Sequence, residues 1–182
     1  MYGSINKNGF PRLRNYEEAL KHHDSIKPIR GRAVECRPLL TCAGGRARSH
    51  YAIKKGVTNG GVDCVSVILY VTPVITYLAN GEIWLEDGGY PTSTTHQVIN
   101  AVMRGCPTFS SGGRSILALG ENGQGKYFVF PEYDALRLTV TDTQVTVLNP
   151  TPMYREYVLR GKMGEVRKRL AKPLAYIRNM AK

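Results

Sequence analysis

The most regular patterning lies in the middle of the chain. Val62 to Val71 and Val74 to Ala79 are rich in Val, Ile and Tyr and predict two strands. Asn80-Gly81 follows, a pair in which both residues tolerate positive φ, and it predicts a two-residue hairpin turn. Such a turn sets the register, with Ala79 facing Glu82, Leu78 facing Ile83, Tyr77 facing Trp84 and Thr76 facing Leu85. Leu78, Ile83 and Leu85 then share one face, and Tyr77 lies beside Trp84 on the other. Gly88-Gly89 closes the hairpin, and Thr94 with Gln97 reads as a capping box opening a helix to about Arg104. Val98, Val102 and Met103 form its buried stripe, and Gly105 ends it.

Two further hairpins follow: Ser115 to Leu119 with Lys126 to Phe130, and Ala135 to Thr141 with Val145 to Asn149. In the second, Leu136, Leu138 and Val140 alternate with Arg137 and Thr139, the mark of a sheet with one wet face. On the N-terminal side, Asn15 and Glu18 predict a helix start, and Tyr16, Leu20 and His23 carry the helix to about His23. Lys27 to Gly45 is rich in Pro, Gly and Arg and reads as an extended basic loop, leading to a strand near Tyr51 to Lys55. Beyond Pro150 the period turns helical at Val166, Leu170, Leu174 and Ile177, with Pro173 splitting the element and Gly161 and Gly164 suggesting a hinge before it.

At 182 residues the chain has room for one core of roughly 100 to 150 residues with appended segments. Hydrophobic residues make up 42%, too many for a disordered chain, so the middle should fold without metal or disulfides. Cys36, Cys42, Cys64 and Cys106 contain no C-x-x-C pair, which predicts reduced thiols in cytosol rather than a zinc ribbon or a disulfide framework. Met1-Tyr2-Gly3-Ser4 has no basic and apolar leader, so no signal peptide is expected. Val65 to Ala79 is the most apolar run, but it falls short of the ~20 residues needed to span a bilayer. A soluble protein with no membrane partner is expected.

Charge divides the chain into three blocks. Residues 1–57 carry twelve Lys/Arg against four Asp/Glu, residues 58–150 carry four against eight, and residues 151–182 carry nine against two. The predicted organisation is therefore a basic N-terminal arm with a short helix (1–57), an antiparallel-sheet core (58–150) and a basic helical tail (151–182). Separated charge of this sign builds a directed positive field, and its natural partner is a polyanion.

Motifs for catalysis fail on geometry. Gly120 to Lys126 has phosphate-loop spacing, but Tyr127 stands where Ser or Thr must hold magnesium, and a strand follows instead of a helix. A hairpin turn explains it better. His22, His23, Asp24, Cys36 and Cys42 suggest a metal site, yet adjacent histidines on a helix point about 100° apart. Cys106 and His96 lie too far apart along a helix to act as nucleophile and base. Asp63, Glu82, Glu86 and Asp87 lack the lysine partner of a metal nuclease. No enzyme, metal or cofactor is expected.

The basic segments remain. Arg12, Arg14, Lys27, Arg30, Arg32, Arg37, Arg46, Arg48, Lys54 and Lys55 interleave with Phe10, Tyr16 and Tyr51, so cations can follow phosphates while rings stack on unpaired bases. A solvated basic surface is the bland alternative, and the lack of a compensating acid run argues against it. In the tail, Arg160, Lys162, Arg167, Lys168, Arg169 and Lys172 flank an apolar stripe suited to self-association combined with phosphate contact. Tyr77 and Trp84 form a candidate stacking platform, set against the alternative that both rings pack in the core.

Lys27-Pro28-Ile29-Arg30-Gly31, Arg37-Pro38-Leu39, and the hairpin Tyr77 to Leu85 running into Gly89-Tyr90-Pro91-Thr92-Ser93-Thr94-Thr95 resemble a pattern in small proteins of tailed phages. Over about residues 25 to 105 the chain is similar to the single-stranded-DNA-binding RNA polymerase cofactors of podoviruses in the Schitoviridae. The resemblance implies a transcription regulator in the cytoplasm of an infected bacterium that coats single-stranded DNA and brings a phage RNA polymerase to promoters. Lys27, Arg30 and Arg37 fall inside the shared pattern as implied DNA contacts, and no catalytic residue is carried over. The chain departs from ordinary single-strand binders in lacking an OB-fold strand order and an acidic tail.

The expected fold is α+β: a twisted, mainly antiparallel sheet with one or two packed helices and basic terminal arms. The expected function is binding of single-stranded DNA with low sequence specificity by a homo-oligomer. Single strands are favoured over duplex because no helix-turn-helix or zinc motif is present and Tyr is abundant. The alternative is a virion structural or DNA-packaging protein that uses its basic arms for assembly.

Overall fold

Asn15 sits in extended backbone and its side chain accepts the Glu18 N–H at 2.9 Å, which starts helix α1 (Tyr16–Ser25). Glu18 reaches back one residue further than a capping box, to the Arg14 N–H at 2.9 Å. This computed structural model describes residues 9–28, 31, 33–40, 50–103, 105–120, 126–141 and 144–151. Residues Met1–Thr151 form one compact unit and Pro152–Lys182 a second. The helix expected near residues 166 to 177 lies outside the described residues.

After α1 come β1 (Cys36–Pro38), β2 (Tyr51–Val57), β3 (Asp63–Leu69), β4 (Thr72–Leu78) and β5 (Glu82–Leu85). Helix α2 (Ser93–Val102) and strands β6 (Thr108–Ser111), β7 (Arg114–Leu119) and β8 (Lys126–Val129) follow, then β9 (Leu136–Val140) and β10 (Val145–Val147). One sheet has seven strands in the order β1-β2-β3-β4-β5-β9-β10, and the other has three in the order β6-β7-β8. Every neighbouring pair is antiparallel. The architecture is α+β, as the alternating pattern predicts. Among the described residues, no helix is long and apolar enough to cross a membrane.

Register assembles the core. Ile53, Val67, Ile75, Leu85 and Leu136 line up across five strands, and Val65, Tyr77, Ile83 and Leu138 form the next row. These rows join Ala19 of α1 and Val98, Ile99 and Val102 of α2 in one buried cluster. Full burial of each large apolar side chain contributes about 1.5–3 kcal/mol. The opposite face carries Lys54, Ser66, Thr76, Trp84 and Arg137, with the Ser66 and Thr76 hydroxyls 3.0 Å apart.

The β4–β5 hairpin corrects the expected register. Tyr77 faces Ile83, Thr76 faces Trp84 and Ile75 faces Leu85, so the loop holds three residues, Ala79-Asn80-Gly81. Gly81 takes φ +89°, its N–H donates to the Leu78 carbonyl at 3.0 Å, and Asn80 Oδ1 accepts the Glu82 N–H at 3.0 Å. A turn closed by a left-handed glycine adds one residue to the loop. That slip moves Trp84 to the other face and leaves Tyr77 paired with Ile83 in the core.

Other departures are local. Helix α2 is capped two residues before the expected Thr94, by Thr92, whose side chain accepts the Thr95 N–H at 3.3 Å. Strand β1 lies within the segment expected to be a loop, and β6 is an additional strand. The basic N-terminal block is built into the sheet: β2 pairs with both β1 and β3, and α1 rests on the core.

Tyr77 is the most consequential buried polar group. Its ring is 0% exposed and its hydroxyl donates to the Leu13 carbonyl at 2.9 Å, while the Leu13 N–H donates to the Val102 carbonyl at 3.1 Å. Tyr77→Phe should destabilise the protein by about 1–3 kcal/mol, the cost of leaving a buried carbonyl unpaired, read from urea unfolding. No change in the midpoint would sever that link. Burial also holds His96 and His22 below the ordinary imidazole value of 6.5, against a raising effect of Asp87 on the first and of the Leu39 carbonyl on the second. Below pH 6.5 the unfolded chain therefore takes protons that the folded chain refuses, and stability falls. Glu86, buried beside Asp134 and Asp87 and held above the ordinary carboxylate value of 4.5, opposes this at lower pH. Thermal midpoints should be flat between pH 7 and 8 and drop below 6.5, and His22→Gln with His96→Gln should flatten that drop.

Candidate functional site

Leu13 is buried while Arg12 and Arg14 on either side are exposed. Alternation along extended backbone accounts for this, since burying the middle residue turns its neighbours outward. The two arginines border the larger of the described cavities, a groove of about 680 Å³. Its other walls are the end of α2 (Val102, Met103), Gly105 and Cys106, Leu119 and Gly120 after β7, and the β9–β10 hairpin at Val140, Thr141, Gln144 and Val145. Polar and apolar groups line it in nearly equal measure, and Leu119, Val140 and Val145 are its half-buried apolar side chains. Among the described residues neither guanidinium has an ion-pair partner.

The chemistry of the groove follows from these groups. A guanidinium offers a planar fork of donors that matches phosphate oxygens, and two on one rim can hold adjacent phosphates. The half-buried Leu119, Val140 and Val145 side chains suit a flat, weakly polar ring. Gln144 is exposed at the far wall, and its carboxamide makes no hydrogen bond among the described residues. Cys106 is fully buried, and burial pushes its thiol up to about 11. It packs the floor as a neutral group.

The remaining predicted contacts disperse. Lys27 is exposed beyond α1. Lys54 and Lys55 project to opposite faces of β2, and Lys55 is committed to Asp24 at 2.6 Å. Lys55, with His23, holds the Asp24 carboxyl below its ordinary range. Arg37 lies on edge strand β1, half-buried, with its Nε lacking a hydrogen bond. Tyr51 is half-buried, its ring meeting Phe10 edge-on at 5.3 Å. Arg30, Arg32, Arg46, Arg48, Arg160, Lys162, Arg167, Lys168, Arg169 and Lys172 lie outside the described residues.

The expected Tyr77–Trp84 platform does not form. Tyr77 is enclosed, and Trp84 lies on the other face with the Arg137 guanidinium 5.4 Å from its ring centroid. The Trp84 indole N–H donates to Glu82 at 3.0 Å. The ring lines a hollow of about 290 Å³ together with Glu86, Asp87, Glu132 and Asp134, a surround that repels phosphate. Trp84 is thus capped by an arginine and bordered by carboxylates.

His22 and His23 turn their Nε2 atoms to main-chain carbonyls, of Leu39 at 3.0 Å and Glu35 at 2.7 Å. A Ser-His-Asp grouping that the sequence reading did not find joins Ser115, His96 and Asp87. Its wiring is wrong for acyl transfer, because the Ser115 hydroxyl donates to Asp87 while His96 Nε2 stands 3.5 Å from it and His96 Nδ1 has no partner. Ser115 and His96 are buried, so the cluster ties α2 to β7 and to the loop after β5.

No protein-family model matches the chain, and neither a curated protein nor a solved structure matches it.

At pH 8 a thiol with a pKa near 11 is about one-thousandth thiolate. Iodoacetamide should therefore leave Cys106 unmodified in the native protein and label it in denaturant, as read by peptide mass spectrometry. Rapid native labelling would show that the groove floor is open.

Proposed function

We propose that the chain binds single-stranded nucleic acid, DNA in the first instance, with little sequence preference. The observation that carries this reading is the groove bordered by two exposed arginines that have no ion-pair partner among the described residues, with apolar side chains beside them. Phosphates meet Arg12 and Arg14, and an unstacked base lies against Leu119, Val140 and Val145. Lys54 and Lys27 add charge on other surfaces and contribute to attraction at longer range.

Single strands fit better than duplex on two counts. Reading the major groove needs an exposed helix or ribbon with a polar, cationic face. Helix α1 carries Glu17 and Glu18 in its first turn, and α2 buries Thr95, His96, Val98, Ile99 and Val102. Neither described helix offers such a face. The apolar side chains in the groove are also useful only to a base freed from its stack. No described surface is assigned to recruitment of a polymerase.

Gel shifts with single-stranded DNA, duplex DNA and RNA at two salt concentrations test the reading. Four to six phosphate contacts give a log K against log salt slope of about −3 to −4 on a single strand. Arg12→Ala with Arg14→Ala should make that slope shallower by about 1.4, at about 0.7 for each phosphate lost. A salt-independent affinity, or tighter binding to duplex, would falsify it.

A further inference from the structure

The β3–β4 turn carries an unexpected residue for its backbone. Tyr70 sits at φ +59° and is the non-glycine with positive φ among the described residues. Asn, Asp or Gly takes that conformation readily, whereas a bulky aromatic is strained there. The ring gains little burial in return, since Tyr70 is 47% exposed and Val71 beside it is 90% exposed. The fold itself has no need of a tyrosine at this tip.

The ring is nonetheless held in place. The Tyr70 N–H donates to the His50 carbonyl at 2.7 Å, and the two rings lie 4.7 Å apart at an angle of 46°. His50 leads directly into Tyr51, whose ring meets Phe10, and two residues beyond Phe10 stands Arg12. Two separate ring pairs, joined through the backbone at His50-Tyr51, thus link the hairpin tip to the segment that bears the groove arginines.

We infer that the Tyr70–His50 pair is a stacking site for an unpaired nucleobase, on the same strand whose phosphates Arg12 and Arg14 hold. The inference rests on the nucleic-acid reading above and adds to it a ligand class and a second point of contact. A ring pair preformed on a sheet-borne turn loses little freedom when a base lands on it. Stacking also tolerates any base, because each has a π face.

Fluorescence anisotropy of the full chain tests this with an oligothymidylate and with a strand of the same backbone lacking bases. Tyr70→Ala and Tyr70→Gly should weaken oligothymidylate binding about tenfold at fixed salt while leaving the salt slope unchanged. Tyr70→Phe should bind as the native protein does, and on the baseless strand Tyr70→Ala should have no effect. Tyr70→Gly should melt no lower than the native protein, since glycine accepts this φ, so a loss of binding cannot be put down to a loss of fold. Equal oligothymidylate affinity for the native protein and Tyr70→Ala, or an equal loss on the baseless strand, would overturn the stacking site. The groove reading would survive that result if the Arg12→Ala, Arg14→Ala protein still lost salt-dependent binding. Absence of salt-dependent binding by the native chain would sink both. Weaker self-association of Tyr70→Ala in sedimentation, with unchanged oligonucleotide affinity, would give the tip to a second copy and overturn the inference.

Discussion

One enclosed hydroxyl ties the N-terminal segment to the rest of the molecule. Tyr77 reaches from near the end of β4 to the Leu13 carbonyl, and Val102 at the end of α2 takes the Leu13 N–H. Both main-chain groups of a single residue are thereby spoken for, one by the sheet and one by a helix. Away from water neither has a ready substitute partner, so the segment has one favourable position. With Leu13 fixed downward, Arg12 and Arg14 point outward, and the groove between α2 and the β9–β10 hairpin acquires its charged rim. The candidate site is a by-product of how the core is closed.

This changes what the block of positive charge means. Summed along residues 1–57 the excess looks like a basic arm with a short helix, yet β1 and β2 are strands of the seven-stranded sheet and Ala19 of α1 joins the core. Pleating then sends neighbouring cations apart: Lys54 and Lys55 face opposite ways, and Asp24 neutralises the second. Local geometry, more than the total charge, decides which cations are free to meet an anion.

The strands were largely legible because β-branched and aromatic runs bounded by Gly and Asn have few other ways to fold. The β7–β8 and β9–β10 hairpins pair as their alternation predicts, with Ile116 opposite Val129 and Val140 opposite Val145. The face assignment of Trp84 was not legible, since it hung on whether Asn80-Gly81 made a two- or a three-residue loop, a difference of one residue in turn geometry. Strand β1 was hidden because Cys36-Arg37-Pro38 has neither the run length nor the composition of a strand and owes its conformation to β2 beside it. For the groove, the arginines could be read in advance as candidate cations. Its floor could not, because Met103, Leu119 and Val140 come from elements far apart in sequence and meet only through the fold.

The placement of α2 and the three-stranded sheet between β5 and β9 has a consequence for how the chain can vary. Leu85 must find Leu136 across the whole of that excursion to complete the seven-stranded sheet. The entropy of closing such a loop grows only logarithmically, by about 0.6 kcal/mol for each doubling of length. Insertions within the excursion are therefore cheap for the main sheet so long as the β5–β9 seam still closes. That seam makes the loops of the excursion the natural place for the lineage of this protein to gain elements, while α2 has to stay because its Val98, Ile99 and Val102 are part of the core.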